Sequence, residues 1–249
     1  MLFLTTSVGF IVFGIPSFSN FIVERLPKSV DKEVGRTARV EILKSSKVDS
    51  LKSKSLTDFY LQLGFDSNTK IYVIYSNENE FNAFALPDNS IFVYDEVLEK
   101  VETYDELAAL LSHEYTHIKN RHGMKSLASS ISYELLFGLL SGSNNNESFT
   151  KNAGLLLVLR NSRDIELEAD KGGIDLIFKN KINPDGFIEL FNRMIKLGEN
   201  ENHIPAYLST HPDAEVRLEV VKNEIAKQKY AISQNHQLEQ LFQEIKSNN

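Results

Sequence analysis

The chain has 249 residues, a formal net charge of −7 and no cysteine. Its 42% hydrophobic and 24% charged fractions exclude wholesale disorder and a many-span membrane protein. The absence of cysteine excludes disulfide staples, thiolate zinc sites, a cysteine nucleophile and a cysteine-linked lipid anchor. Charge is uneven. Residues 1–60 carry nine Lys/Arg and six Asp/Glu, and the remainder 18 and 28, so a net of +3 precedes a net of −10. An acidic body speaks against nucleic-acid binding, which needs a basic face. The basic stretch Arg25–Lys54 suits either an anionic lipid surface or plain solvation.

Residues 1–23 contain no charged side chain. Three readings compete: a membrane anchor, a signal peptide with small residues at Ser17 and Ser19, and a buried helix. The segment therefore implies a membrane-associated or exported protein and leaves open the side of the membrane. Residues 24–232 read as one domain, and the tail 233–249 as polar and frayed.

Within the domain, Val40, Leu43, Val48, Leu51 and Leu56 predict one or two amphipathic helices between Val30 and Phe65. Lys70–Tyr75 reads as a strand. Asn82–Leu86 and Ser90–Tyr94 flank the turn residues Pro87-Asp88-Asn89 and predict a β-hairpin. Helices are expected over Asp95–Glu102, Tyr104–Asn120 and Leu127–Leu140. A polar loop, Ser141–Asn146, follows, and an apolar helix resumes near Phe149 and runs to Phe178. Phe187–Leu197 is predicted helical, Gly198–Asn202 a loop, and Asp213–Lys229 a helix with Pro212 at its start.

The informative segment is His113-Glu114-Tyr115-Thr116-His117. Residues four apart share a helical face, so two imidazoles can reach one metal ion, and Glu114 beside them can take a proton from water. A catalytic zinc takes three protein ligands. The position six residues after His117 is Gly123, which excludes the three-histidine pattern. His122 is one residue out of that register. A better third ligand lies in Glu166-Leu167-Glu168-Ala169-Asp170. Glu166 and Asp170 share a face; Glu166 can bind zinc while Asp170 accepts a hydrogen bond from a ligand imidazole. Glu168 points elsewhere and reads as a solvated carboxylate.

Together, H-E-Y-T-H and E-L-E-A-D resemble the gluzincin metalloendopeptidases typified by the CAAX prenyl endopeptidase and the HtpX-type, OMA-type and BepA-type proteases. Asn82–Pro87, Arg121-His122, Ser162-Arg163 and Thr210-His211-Pro212 with Arg217 extend the resemblance over roughly Val73 to Val221. One departure is Asp88-Asn89, where relatives have a glycine-rich turn. The resemblance implies a mostly helical α+β, zincin-like domain with a small sheet beside the catalytic helix.

It also implies one Zn2+ held by His113, His117 and Glu166, with Glu114 as base. Asn82, His211 and Arg217 are placed by it near the developing oxyanion. Each has an alternative: Asn82 as a turn residue, Arg217 as a surface cation or a carboxylate's structural partner, His211 as a residue that merely begins a helix. His211 carries a sharper pair of roles, as oxyanion donor or as inhibitory fourth zinc ligand. The expected activity is endoproteolysis of unfolded or membrane-associated polypeptides in protein quality control. A zinc-stabilised, chaperone-like binding protein and a zinc amidase are the alternatives.

Overall fold

In the computed structural model, residues 14–76, 80–141, 161–200, 206–228 and 231–247 are described. Its elements in chain order are α1 (Ile15–Arg25), α2 (Lys28–Ser45), β1 (Val48–Asp49), α3 (Ser50–Gln62), β2 (Lys70–Ile74), β3 (Ala83–Leu86), β4 (Ser90–Tyr94) and α4 (Asp95–Lys100). They continue with α5 (Tyr104–Lys119), α6 (His122–Ser141), α7 (Arg163–Lys179), α8 (Asp185–Asn200), α9 (Ala206–Thr210), α10 (Ala214–Ala226) and α11 (His236–Ser247). The class is the mostly helical one expected, with one small sheet.

Helix α5 is the axis of the fold. Its start is fixed by a capping box: Thr103 Oγ1 accepts from the Glu106 N–H at 3.2 Å, and Glu106 Oε2 accepts from the Thr103 N–H at 3.2 Å. The buried Glu106 carboxylate is matched by Arg193 of α8, Nε to Oε1 at 2.7 Å. Leu107, Ala108, Leu110 and Leu111 are all fully buried, so α5 runs through the core rather than along the surface.

The sheet order is β1-β2-β4-β3, which leaves β3 at an edge. β2 and β4 are parallel, and β3 and β4 form the expected antiparallel hairpin, with Phe84 opposite Phe92. Asn89 takes φ 63° in its turn, a conformation Asn tolerates. Asp88 beside it is pinned by Arg39 Nε at 2.7 Å. The Asp-Asn replacement of a glycine turn therefore keeps the hairpin. Residues alternate across the sheet. Ile71, Val73, Ala83, Ile91 and Val93 face the main core. On the other face Tyr72, Phe92 and Phe84 stack in a row beneath Ala38 and Ile42 of α2.

Several sequence expectations need correction. A helix running unbroken to Phe178 is interrupted before α7, because Ser162 is extended and caps Ile165 N at 3.4 Å. The segment around Phe149 and the loop Ser141–Asn146 fall, but for Ser141, outside the described residues. Gly198 is helical, within α8, rather than in a loop. The two-residue strand β1, paired to β2, is too short to leave a periodic signal.

The tail expected to be frayed forms α11 instead. Its sparse apolar residues Leu238, Phe242 and Ile245 recur at helical spacing and are buried in the core. Lys246 Nζ then donates to the carbonyls of Leu98, Glu99 and Val101 at 2.8–3.0 Å, closing the C-terminus of α4.

Of the apolar N-terminal segment, residues 1–13 fall outside the described residues. Helix α1 buries Ile15, Ser19 and Val23 and packs on α6, while Phe18 and Phe21 are exposed. Among the described residues no helix is long and apolar enough to cross a membrane.

Candidate metal centre

Helix α5 brings His113 and His117 to one face, as four-residue spacing requires, with Nε2 atoms 2.9 Å apart. Helix α7 supplies the acidic side. It comes close to α5 because Gly172 and Gly173 lie at the crossing. A Cβ on Gly172 would stand 2.6 Å from Thr116 Cγ2, and one on Gly173 3.2 Å from the His113 backbone N. No larger residue allows that approach. As a result Glu166 Oε2 stands 3.5 Å from His113 Nε2, and its Oε1 stands 3.5 Å from His117 Nε2. From beyond the short α9, His211 directs Nδ1 at the same carboxylate, 3.0 Å from Oε2.

His113, His117, Glu166 and His211 thus present four buried donor atoms within 4.8 Å of one another. The donors suit a single zinc ion. Tetrahedral zinc with bonds near 2.0–2.2 Å spaces its ligand atoms at roughly 3.3–3.5 Å. The 2.9–3.5 Å separations among His113, His117 and Glu166 fall at or just inside that spacing. Two imidazole nitrogens at 2.9 Å are also poorly served by a single shared proton, and a cation satisfies both lone pairs.

Behind these donors sits a second set of polar groups. Asp170 Oδ1 accepts from His113 Nδ1 at 2.9 Å, as the spacing from Glu166 foretold. Arg217 is 1% exposed. It donates Nε and Nη2 to Asp170 at 2.8 and 2.7 Å, and Nη1 lies 2.7 Å from Glu166 Oε2. This corrects the expectation of an oxyanion donor: the guanidinium is spent on two carboxylates, in the structural pairing that was its alternative. Asp213, at φ 66°, begins α10 and receives Arg163 Nε at 2.8 Å. That bond ties the late His-Pro segment to the start of α7.

Electrostatics follow from burial and these pairs. Burial alone would raise the carboxyls of Glu166 and Asp170. The charges of His211 and Arg217 and the histidine hydrogen bonds outweigh it for Glu166, and Arg217 with His113 does so for Asp170, so both stay ionised. Burial would lower His113, yet hydrogen bonds to Asp170 and Glu166 carry it up to about 9. His117 is held well below its usual value by burial and by His113. Glu114 is raised, chiefly by burial. Its Oε2 has no hydrogen-bond partner among the described residues, and its Oε1 lies 3.4 Å from the Tyr207 hydroxyl and 3.7 Å from His211 Nε2.

Two residues escaped sequence reasoning. Tyr207, the stacking partner of His211, lies between the expected loop Gly198–Asn202 and the expected helix from Asp213, and only its i, i+4 spacing from His211 hints at a shared face. His122 is fully buried with Nδ1 3.0 Å from His117 Nδ1. It stands one residue out of the three-histidine register, but a break between α5 and α6 brings it back to the site. Arg121 has φ 57° and swings the chain back over His117. It is held there by Asp31 at 2.6 and 2.7 Å and by the Val23 and Leu26 carbonyls. Burial pushes His122 down to about 4, so its imidazole is neutral.

A cleft of about 50 Å³ opens beside this cluster, lined by Asn82, Phe84, Ala85, Glu114, His117 and His211 among others. Asn82 precedes the edge strand, and its Oδ1 is buried without a partner.

Comparison with known proteins agrees with this arrangement. The model of peptidase family M48 matches residues 53–225. The mitochondrial metalloendopeptidase OMA1 of Schizosaccharomyces pombe is 31% identical over 145 residues, 57% of this chain and 42% of the relative. That of Saccharomyces cerevisiae is 27% identical over 205 residues, 76% of this chain and 59% of the relative. That of Arabidopsis thaliana is 29% identical over 145 residues, 58% of this chain and 30% of the relative. The aligned part of this chain spans between 30% and 59% of those relatives' lengths. With H-E-x-x-H on α5, E-x-x-x-D on α7 and the late histidine gathered at one point, and with the family model covering both motifs, the chain belongs to peptidase family M48.

Proposed function

We propose that this chain is a zinc-dependent endopeptidase that cleaves internal peptide bonds of unfolded or membrane-associated polypeptides, in protein quality control. The observation that carries the reading is the placement of an unpaired, buried carboxylate oxygen, Glu114 Oε2, beside a four-donor cluster and a free strand edge. Its support from relatives is that the similar proteins are named metalloendopeptidases.

His113, His117 and Glu166 are assigned as the zinc ligands. A zinc ion held there supplies Lewis acidity toward water and the scissile carbonyl. Glu114 takes the proton of the attacking water on Oε2 and passes it to the leaving amine; its raised pKa suits a base that must also act as an acid. Tyr207 orients the other oxygen of Glu114. Asp170 keeps the His113 proton on Nδ1, so that Nε2 presents a lone pair. Arg217 offsets the charge of two adjacent buried carboxylates.

The substrate lies along β3 as an added strand. The outer edge of Ala83–Leu86 has no strand partner among the described residues, and main-chain pairing there favours extended, flexible segments with loose side-chain preference. Asn82 Oδ1, unpaired in the cleft, is assigned to the substrate backbone. Residues 1–23 are assigned to membrane attachment, supported by their lack of charge and by exposed Phe18 and Phe21 on α1. Flotation with lipid vesicles tests this, and a Phe18→Ser/Phe21→Ser chain that floats as well as wild type would sink it.

A second reading, a latent form of the same enzyme, is favoured by His211 Nδ1 standing within the donor cluster. There His211 would serve as a fourth ligand to a bound zinc, in the place that substrate or water needs.

The test is cleavage of casein by wild type and Glu114→Gln, with the zinc content of both. Cleavage by wild type alone, with about one zinc in each chain, supports the endopeptidase. Equal cleavage by both removes Glu114 as base. Zinc in both with cleavage by neither leaves the latent form or a binding protein, which His211→Ala then separates.

A further inference from the structure

The zinc ligand assignment accounts for what holds His113, through Asp170, but not for what holds His117. That side chain has its own support. His117 Nδ1 lies 3.0 Å from His122 Nδ1, and His122 Nε2 faces Glu168 Oε2 at 3.5 Å. Glu168 Oε1 in turn accepts from Asn120 Nδ2 at 2.8 Å. His122 is fully buried, and Glu168 is 52% exposed at the edge of α7.

We infer that His122 is a positioning residue for the metal ligand His117, anchored from the far side by Glu168 and Asn120. Two nitrogens 3.0 Å apart share one proton, so one ring donates and the other accepts. If His122 Nδ1 donated, the His117 proton would sit on Nε2, where a metal must bind. The productive arrangement is the reverse: His117 Nδ1–H donates to His122 Nδ1, and His122 keeps its proton on Nε2. The Glu168 carboxylate lies 3.5 Å from that nitrogen, near enough to favour a proton there by its charge although no hydrogen bond forms. Asn120 keeps Glu168 in place from the end of the helix that carries His117. Each ligand imidazole is then backed by a carboxylate, His113 directly by Asp170 and His117 through one intervening ring. The chain turn that makes this possible is Arg121 at φ 57°.

This inference rests on the assignment of His117 as a ligand, and the experiment separates the two. Zinc affinity of the full chain is measured by competition with a chelator, alongside thermal unfolding of the zinc-free chain. Loss of tight zinc binding in His117→Ala tests the ligand assignment itself; unchanged affinity there overturns that assignment and this inference with it. His122→Phe removes the acceptor and should weaken zinc binding by roughly 10–100-fold, the usual loss for an outer support. His122→Asn, which can still accept through its amide oxygen, should recover most of it. Equal losses in both variants would assign His122 to packing alone, and affinity within twofold of wild type in His122→Phe would overturn the role altogether.

Should the buried variants not fold, two surface and spectroscopic readouts remain. Glu168→Ala should weaken zinc binding several-fold with no change in the zinc-free unfolding temperature; unchanged affinity removes the carboxylate from the chain. Long-range 1H–15N correlation on the zinc-loaded wild type should find His122 protonated on Nε2, and protonation on Nδ1 would overturn the inference.

Discussion

Tyr207 and His211 stack face to face, ring centroids 4.2 Å apart and 19° from parallel. The tyrosine hydroxyl approaches Glu114 at 3.4 Å. Tyr207 lies on α9 and His211 follows it. In the latent form His211 fills a place in the donor cluster that removal of its ring would open. His211→Ala should therefore raise casein turnover while weakening zinc binding. A fall in kcat with unchanged zinc content would instead make His211 a donor to the substrate oxygen.

Arg217 offers a stability prediction. Removing it strands Asp170 and Glu166 as adjacent buried carboxylates, and breaking such pairs costs about 3–5 kcal/mol. Denaturant unfolding of Arg217→Met should show a loss of that size. Arg217→Lys keeps the charge but not the forked geometry, and should lose less. A loss under 1 kcal/mol in Arg217→Met would contradict this role.

The glycine crossing of α5 and α7 links packing to the metal. Gly173→Ala would bring a methyl within 2.7 Å of Phe187 Cζ and 3.2 Å of the His113 backbone N. The helices must part, which moves Glu166 away from the two histidines. Zinc affinity should fall more than tenfold, beyond the effect of Gly→Ala on helix propensity, which is stabilising by ~1 kcal/mol. A variant with wild-type affinity and a higher melting temperature would show that the crossing relaxes freely.

Zinc uptake should depend on pH with a definite sign. His113 in the zinc-free chain is carried up to about 9, but a ligand imidazole is neutral. Below that pH each zinc must displace a proton, so affinity rises about tenfold per pH unit between pH 7 and 9 and then levels. Calorimetry in two buffers of different ionisation enthalpy counts the proton. The zinc-free fold has the opposite trend. Its folded state holds a proton that the unfolded chain releases near pH 6.5, so this contribution is present below 6.5 and lost as pH rises through about 9. A flat affinity profile from pH 7 to 9 would contradict the assignment.

Legibility followed the range of the signal. The hairpin, α5, and the pairing of His113 with Asp170 were readable because each rests on local periodicity or a four-residue face. Arg217 was misplaced because sequence spacing cannot tell which side of a buried helix a long cation reaches. His122 was set aside because it falls one residue short of the three-histidine register, and the left-handed turn at Arg121 that brings it back over His117 is specified by Asp31 and two carbonyls far back in the chain. Helix α11 was missed because four apolar residues among glutamines and glutamates look like solvent-facing sequence until a groove on α3, α4 and α5 is there to receive them.

That helix also bears on the order in which the core is closed. His113 is made 132 residues before Ile245, an interval on the order of 10 s at typical synthesis rates. Until Leu238, Phe242 and Ile245 emerge, the face of the core they cover stays exposed and α4 lacks its lysine cap. The metal-binding cluster thus has His113, His117 and Glu166 in hand well before the helix that covers this face of the core is made.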